Sequence, residues 1–536
     1  IEETLTTKLG GESATALLTV KVQTEQDGPY QWPGELDVFL EAMRQRKLSK
    51  LVTKNKADDS SGDALDLVTG QSARTVGTSE DPQNYYLGKQ REKFPGLDIE
   101  EAWRTHPISE DAAVTVMKAD PFLEACTYRT FGAKVYYLPY FFGNLSAEQT
   151  YQLYEMLHNA TTEDDDKTPV EDAYEFFKEK ANEEYPLRFY VSAVMPHQVS
   201  RYDVFGETMN GRLLYPKELA VEHNRLVSDS AAFNSTGNRT PPFPTDENWS
   251  LLSTTENRLH SISTGWYFTQ TFAERDDDEA DADDPRIEAL VKVLSGGSIA
   301  VETLLSEYVA RITSTEDDDE VEGFPSFRVA GQFAQLSALA DSDLNLLTTD
   351  DENKESITHE PTYEEHSMQS AEDIQIIADG GTDAAAKLES FIEDTPALTH
   401  DEDTDGSVNS QRRGAFLLGA LVGAVGNYQD YYEDRSTTLI DQFPVKSITS
   451  TRIKKVTQET IGKLLTYTRQ DKKQGQQFTG TKFNHIVEQL RNTILDPDPD
   501  KWEIETDDLR FYYALGITYG MNDWQTNLTE NTEEDS

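Results

Sequence analysis

The residues whose type and spacing suggest a binding chemistry are the lysines and arginines between Ser407 and Leu495. The 536-residue chain carries a formal charge of −50, with 98 Asp and Glu against 48 Lys and Arg. Within this block the balance reverses. Its basic side chains are Arg412, Arg413, Arg435, Lys446, Arg452, Lys454, Lys455, Lys463, Arg469, Lys472, Lys473, Lys482 and Arg491, and its acidic ones are Asp430, Glu433, Asp434, Asp441, Glu459, Asp471 and Glu488. A locally basic surface on an acidic protein predicts a polyanionic ligand, although ordinary solvated helix faces would give the same composition.

Four helices are expected to position these cations as an antiparallel bundle. They are predicted over Gln411–Tyr432, Ser450–Thr468, Thr481–Ile494 and Asp508–Met521. In the second helix the cations fit one broad face, and the apolar residues Ile453, Val456, Ile461, Leu464 and Leu465 fit the core. The candidate nucleic-acid contacts in the bundle are Arg412, Arg413, Arg452, Lys454, Lys455 and Lys463.

Small residues recur in the first of these helices, at Gly419, Gly423 and Gly426. Glycines about one turn apart allow another backbone to approach closely. The apolar run around them is too short to span a bilayer, which predicts a tight helix–helix contact inside the protein.

A second basic segment lies near the start of the chain, where Glu35–Val52 is predicted to be a helix. Its C-terminal half carries Arg44, Arg46, Lys47 and Lys50. Positive charge near a helix C-terminus is favoured by the helix dipole alone. The density of cations exceeds that need and favours contact with phosphate groups.

A polar turn at Gly143-Asn144 is the third candidate contact. It follows a predicted aromatic strand over Val135–Phe142, in which Pro139 indicates an edge position or a bend. Ser146 can cap a helix that begins directly after the turn. The alternative is that this turn is an ordinary connection.

Catalytic motifs are missing from the sequence, so no active site, metal site or cofactor is assigned. His359-Glu360 is followed by Pro361, which breaks the helix that a zinc-protease motif requires. We find no phosphate-binding loop and no nucleophile elbow. Cys126 is the only cysteine, which excludes internal disulfides and is typical of a reducing cytoplasm.

Runs of carboxylates are typical of proteins adapted to high salt, and here they also suggest domain boundaries. The predicted class is α+β, with a mixed α/β N-terminal region, a mostly helical middle and a C-terminal helical bundle. The expected divisions are residues 1–275, 285–400 and 407–525, followed by an acidic disordered tail at 526–536. The middle region is predicted to contain helices over Arg286–Leu294, Val301–Ile312, Phe327–Leu347 and Ala371–Ile392.

Three stretches resemble the large subunit of the type I-B CRISPR interference complex, Cascade, in its haloarchaeal form. They are YYLPYFFGNLSAEQTYQLYEML at residues 136–157, LRFYVSAVMPHQVSRYDVFGE at residues 187–207 and FLLGALVGAVGNYQ at residues 416–429. The chain differs from this family in lacking the cysteine-rich zinc motif of some members, and its opening at Ile1 suggests a missing N-terminal segment.

The resemblance implies a non-catalytic protein that joins the other subunits and the guide RNA, and that binds target double-stranded DNA. Such subunits help to recognise the protospacer-adjacent motif and steady the displaced strand, while RNA–DNA pairing reads the sequence. It also implies that a small helical subunit can be translated from the same gene. Met368, the only methionine between Met209 and Met521, is the expected start, with Val408 as an alternative start; the competing interpretation is that Met368 is simply a loop residue. The alternatives are a halophilic scaffold without nucleic-acid contact and a metal-dependent nuclease built on the carboxylates.

Overall fold

The fold consists of two compact units. A computed structural model describes residues 19–51, 61–76, 101–105, 107–116, 118–141, 146, 148, 151–152, 154–155, 167–177, 187–197, 201–230, 232–233, 243, 257–276, 283–318, 323–340, 343–349, 382–399, 408–433, 435–474, 484–490, 493–494 and 501–533. One unit comprises residues 1–124 and 198–202, and the other comprises residues 125–197 and 203–536. The finer division expected from composition, with its first boundary near residue 276, stays a prediction.

The first unit is built mainly from short antiparallel strands. Its elements are β1 (Val22–Gln23), β2 (Tyr30–Gln31), α1 (Asp37–Leu51), β3 (Ser61–Leu65), β4 (Ser72–Val76), α2 (Ala102–Thr105), β5 (Ile108–Ser109), α3 (Glu110–Val116) and α4 (Asp120–Ala125). Strands β3, β4 and β5 form one antiparallel sheet, and β1 pairs with β2. Val76, Ile108, Ala112 and Ala113 form its small apolar core. The predicted N-terminal basic helix is confirmed as α1.

The second unit contains a four-stranded sheet in the order β6 (Thr127–Thr130), β7 (Ala133–Phe141), β8 (Leu187–His197) and β9 (Arg201–Gly211). Strand β7 is antiparallel to both β6 and β8. Because β6 pairs only with the first part of β7, Pro139 pairs with Phe189 on one side and lies beyond β6 on the other. Its missing N–H therefore costs no bond to β6, which explains a proline in an otherwise central strand.

Helices make up most of the second unit. They are α5 (Pro169–Phe177), α6 (Leu214–Asp229), α7 (Asn257–Ser263), α8 (Trp266–Thr269), α9 (Pro285–Ser295), α10 (Val301–Glu316), α11 (Ser326–Leu339), α12 (Thr382–Glu393), α13 (Val408–Glu433), α14 (Leu439–Gln442), α15 (Ser450–Gln474), α16 (Asn484–Leu490) and α17 (Thr506–Glu533). One hydrophobic core runs through them, with members from Leu219 to Tyr519. The predicted α+β class is confirmed, with strands mostly in the N-terminal part and helices towards the C-terminus.

One predicted helix, Phe327–Leu347, is too long. The structure ends it at Leu339 and places Asn345 in the left-handed region, with φ 50°. Leu347 then pairs in parallel with Ile299, so that two short strands, β10 (Ile299–Ala300) and β11 (Leu347–Thr348), close the segment. The apolar residues after Leu339 fit the helical pattern. The chain nevertheless leaves the helix there, and Leu347 pairs as part of a strand.

The acidic segment before α9 ends inside packed structure. The Asp284 carboxylate caps α9 by accepting from the backbone N–H of Arg286 at 2.9 Å. It also accepts from the Arg286 guanidinium at 2.8 Å, and both side chains are only 2% exposed. The guanidinium in turn lies 4.2 Å from the centre of the Phe131 ring. Asp284 is therefore held in a buried ion pair although it belongs to an acidic run.

Helices α13 and α17 pack unusually closely because glycines line their contact. A Cβ atom added to Gly419 would lie 2.0 Å from the carbonyl oxygen of Tyr513, and one added to Gly516 would lie 2.0 Å from that of Phe416. The predicted close backbone approach is thus confirmed. Contacting residue numbers rise together along both helices, from Arg412 with Asp508 to Asn427 with Met521. The two helices therefore run parallel, whereas a simple antiparallel bundle was expected.

Candidate nucleic-acid interface

Helix α15 carries the densest described set of candidate cations, and its inner face fixes how they are presented. Buried residues recur at helical spacing along that face: Ile453, Val456, Thr457, Thr460, Leu464 and Tyr467. The hydroxyls of Thr457 and Thr460 donate to carbonyl oxygens one turn earlier, at 2.9 and 2.8 Å. These polar side chains are thereby satisfied within the helix while they face the core.

Hydrogen bonds through Gln429 also attach the inner face of α15 to α13. Gln429 of α13 donates through Nε2 to the hydroxyl of Tyr467 at 2.7 Å, and its Oε1 accepts from the backbone N–H of Leu439 at 2.7 Å. The rings of Tyr428 and Tyr467 pack with centroids 5.3 Å apart. These contacts fix the rotation of α15 about its own axis, and so determine which residues face outward.

Arg452, Lys454 and Lys455 of α15 are exposed, and Lys463 is half-buried at one edge of the solvent-facing half. Arg452 donates through Nη1 to the carbonyl of Ser447 at 2.8 Å. Lys455 lies 3.6 Å from Glu459, a surface pair of little energetic value because both partners remain solvated. Within the described residues, Lys454 and Lys463 have no carboxylate partner, so their charge is available to a ligand.

In the prediction from sequence, Leu465 of α15 is assigned to the wrong face, and Arg469 lies on the cationic face without being counted among the candidate contacts. Leu465 was expected in the core, but its side chain is 49% exposed. Arg469 is exposed on the same side as Lys455 and belongs with the candidate contacts. Arg469 follows Lys455 by fourteen residues, which places it about 40° away around a helix, and this signal was already present in the sequence.

Arg412 does not contact nucleic acid through this surface, which corrects the expectation from sequence. Its guanidinium is fully buried, with Nη2 2.9 Å from Oδ2 of Asp508 and Nη1 2.7 Å from Oδ1 of Asn409. The ring of Tyr512 lies 5.8 Å from the guanidinium carbon. The charge is used to join α13 to α17, and sequence spacing could not show this pairing across 96 residues.

The neighbouring residue Arg413 forms a hydrogen bond and an ion pair with side chains of other helices. Its Nη2 lies 3.1 Å from Oε1 of Gln489 and 3.5 Å from Oε1 of Glu389, and the side chain is 18% exposed. The guanidinium thereby bridges helices α12 and α16. Little of its charge faces solvent in this arrangement.

The second candidate segment, α1, lies in the first unit. Arg44 and Arg46 are both exposed, and Arg44 forms an ion pair with Asp111 of α3. Lys47 and Lys50 belong to the same helix, but their side chains lie outside the described residues. Gly143 and Asn144 also lie outside the described residues.

The described residues do not form the groupings that metal binding or a membrane-spanning helix would require. Among the described residues, no three His, Cys, Asp or Glu side chains are grouped so as to hold a metal ion. In the part of the chain that the structure covers, no helix is long and apolar enough to cross a membrane. Burial raises the pKa of the Cys126 thiol to about 12, so this thiol is protonated and unreactive at neutral pH.

Comparison with known proteins agrees with the resemblance drawn from sequence. Residues 266–527 match a family model described as the C-terminal domain of the CRISPR-associated protein TM1802. The chain is also 28% identical to a protein of Haloferax volcanii named CRISPR-associated protein Cas8b, over 98% of this chain and 73% of that protein. The family match contains α15 and the helices that hold it in place.

Proposed function

The chain belongs to the family of the CRISPR-associated protein Cas8b, the large subunit of the type I-B Cascade complex, and we propose that its α15 face holds DNA within that complex. In this proposal the protein is not an enzyme. It helps to recognise the protospacer-adjacent motif and steadies the strand displaced by the guide RNA. Its partners are the guide RNA, the other subunits and the target duplex.

The observation that supports this role best is the outer face of α15. A protein with a net charge of −50 spreads Arg452, Lys454, Lys455 and Lys463 across the solvent-facing half of a single helix. Lysine and arginine bind phosphates without regard to sequence, which suits a subunit that steadies a strand while base pairing provides specificity. High salt weakens each phosphate contact, so several cations acting together are needed.

Recognition of the adjacent motif is assigned in this proposal to the turn at Gly143-Asn144. A carboxamide can both donate to and accept from base edges, and glycine permits close approach of the backbone. Asn144→Ala should impair interference while the complex still assembles. Normal discrimination between permitted and forbidden adjacent motifs by this variant would contradict the assignment.

A small subunit made from the same gene is a further proposed partner. A product that starts at Val408 would begin at the first residue of α13 and keep every helix through α17. A product that starts at Met368, which lies outside the described residues, would also include α12.

Co-purification tests the proposal against a scaffold that binds no nucleic acid. The native protein, isolated by an affinity tag from cells carrying a CRISPR array, should bring down a short guide RNA and other complex subunits. A tagged protein that assembles with other proteins but carries no RNA, and that leaves target DNA unbound, would support the scaffold instead.

A further inference from the structure

Gly462 occupies an unusual position in α15, near the middle of a helix that runs from Ser450 to Gln474. Glycine weakens a helix interior relative to alanine because it loses more backbone freedom on folding. If packing required a glycine here, a side chain at position 462 would collide with a neighbouring atom. A Cβ atom added to Gly462 would meet nothing within 4 Å among the described residues.

Several other helical glycines in the described fold have evident packing reasons, although Gly331 of α11, like Gly462, has none. A Cβ added to Gly423 would lie 2.3 Å from the carbonyl oxygen of Ile517, and one added to Gly520 would lie 2.1 Å from that of Ala420. These residues are small because another helix crosses them. Gly462 is also a helical glycine, but no described helix or strand packs against it.

The angular position of Gly462 places it at the centre of the basic face. With about 100° per residue, it lies nearly opposite the buried stripe that runs through Thr460 and Leu464. Lys455 and Arg469 are seven residues before and after it, about 10 Å away along the axis in each direction. Lys463 follows it directly. The only described carboxylate on this stretch of the face, Glu459, is placed beside Lys455.

We propose that Gly462 is the point at which the sugar–phosphate backbone of a nucleic-acid strand crosses α15 at closest approach. This inference rests on the proposed function and adds a contact residue to it. The missing side chain lets the strand lie against the helix, and Lys455, Lys463 and Arg469 then contact phosphates on either side of the crossing. The hydroxyl of Thr466 donates to the carbonyl of Gly462 at 2.8 Å, so that carbonyl does not present an unpaired oxygen to the phosphates.

A pair of glycine substitutions provides the test. Gly462→Ala adds one methyl group to the crossing point, and Gly462→Leu adds a larger obstacle. Gly331→Ala is the matched control, because Gly331 also lies inside a helix, α11, with nothing within 4 Å of an added Cβ. Both alanine variants should melt at the same temperature as the parent chain or slightly higher, since alanine favours helix.

Binding of the full chain to a fluorescein-labelled single-stranded oligodeoxynucleotide is then measured by anisotropy at several salt concentrations. Gly462→Ala should weaken binding roughly threefold to tenfold, and Gly462→Leu should weaken it further. The slope of affinity against salt should stay near that of the parent chain, because no cation has been removed. Gly331→Ala should bind as the parent chain does.

Two results would overturn the inference. Parental affinity in both Gly462 variants, with weakened binding when Arg452, Lys454, Lys455 and Lys463 are neutralised, would refute the crossing point and leave the proposed function standing. In the second result, all of these variants bind the oligonucleotide as the parent chain does, but Gly462→Leu no longer co-purifies with other subunits. The outer face of α15 would then bind a protein partner. That outcome would reject both proposals.

Discussion

The Nη2 atom of Arg412 lies 2.9 Å from Oδ2 of Asp508, and the two side chains are 0% and 1% exposed to solvent. Nε of the same arginine lies 3.0 and 3.1 Å from the two carboxylate oxygens. The pair therefore has the two-pronged geometry in which arginine and carboxylate interact most strongly. It joins the beginnings of α13 and α17, the two helices that the glycines bring together.

Breaking this pair from one side should destabilise the protein strongly. Arg412→Met leaves the Asp508 carboxylate buried without its partner, and we expect a loss of about 3–5 kcal/mol in the free energy of unfolding. The double variant Arg412→Met with Asp508→Leu removes both charges and should lose much less. Urea unfolding of the three proteins measures this, and equal losses in the single and double variants would show that the pairing is not the cause.

The glycine contact between α13 and α17 predicts a position-specific effect of a single methyl group. Gly419→Ala would place a Cβ 2.0 Å from the backbone of Tyr513, so the helices must separate, which typically costs about 1–3 kcal/mol or more. Thermal unfolding should show a clear drop in midpoint. Gly331→Ala is the control and should not lower the midpoint. A Gly419→Ala protein as stable as the parent chain would mean that the helices do not pack this closely.

Glu316 predicts a pH dependence of stability. Burial raises the pKa of its carboxyl to about 7 from an ordinary value of 4.5, although the backbone N–H of Val445 donates to both of its oxygens, at 3.1 and 3.0 Å. Between pH 4.5 and 7 the folded protein thus binds more protons at this site than the unfolded chain. The contribution of Glu316 to stability is present below pH 4.5 and is lost as the pH rises through 7.

Glu316→Gln should remove that dependence, because the amide resembles the protonated acid. The variant should match the parent chain at the acidic end of the window and exceed it in unfolding free energy by on the order of 2 kcal/mol above pH 7. Glu288→Gln, which changes an exposed carboxylate of α9, serves as the control and should show no such divergence. If the Glu316→Gln and parental curves stay parallel from acid to neutral pH, the carboxyl is not shifted in this way.

Patterns that depend on neighbours in sequence were predictable. The helical period of α15, the β7 and β8 strands and the small residues of α13 follow from local spacing, and the structure agrees with each. The basic face of α15 also follows from that period. Apart from Leu465, the residues expected in its core are buried or half-buried.

Pairings between distant residues could not be predicted in this way. Arg412 carries the same charge as Arg452, and only the fold shows that one is buried against Asp508 while the other faces solvent. Glu316 belongs to an acidic run in which exposed side chains are expected, yet its carboxylate accepts a hydrogen bond from the backbone N–H of Val445. In both cases the deciding partner is more than ninety residues away.

A second product of the gene is expected in the native complex. Mass spectrometry of the purified complex should find a polypeptide that begins between Met368 and Val408 and ends with this chain. Met368 and Val408 can be told apart by whether peptides of α12 are present in the short product. If all C-terminal peptides trace to the long chain alone, no such subunit is made.

The outer face of α15 is expected to bind the phosphates of the target DNA. The most direct test is the salt dependence of target-DNA binding by the assembled complex, with Arg452, Lys454, Lys455 and Lys463 changed together to Gln. Arg225→Gln with Lys292→Gln is the control, because both cations lie on other helices beside their own carboxylates. We predict weaker binding and a slope of log affinity against log salt that is shallower by about 3, with the control unchanged. An intact complex that keeps the parental slope after all four changes would show that the outer face of α15 does not bind these phosphates.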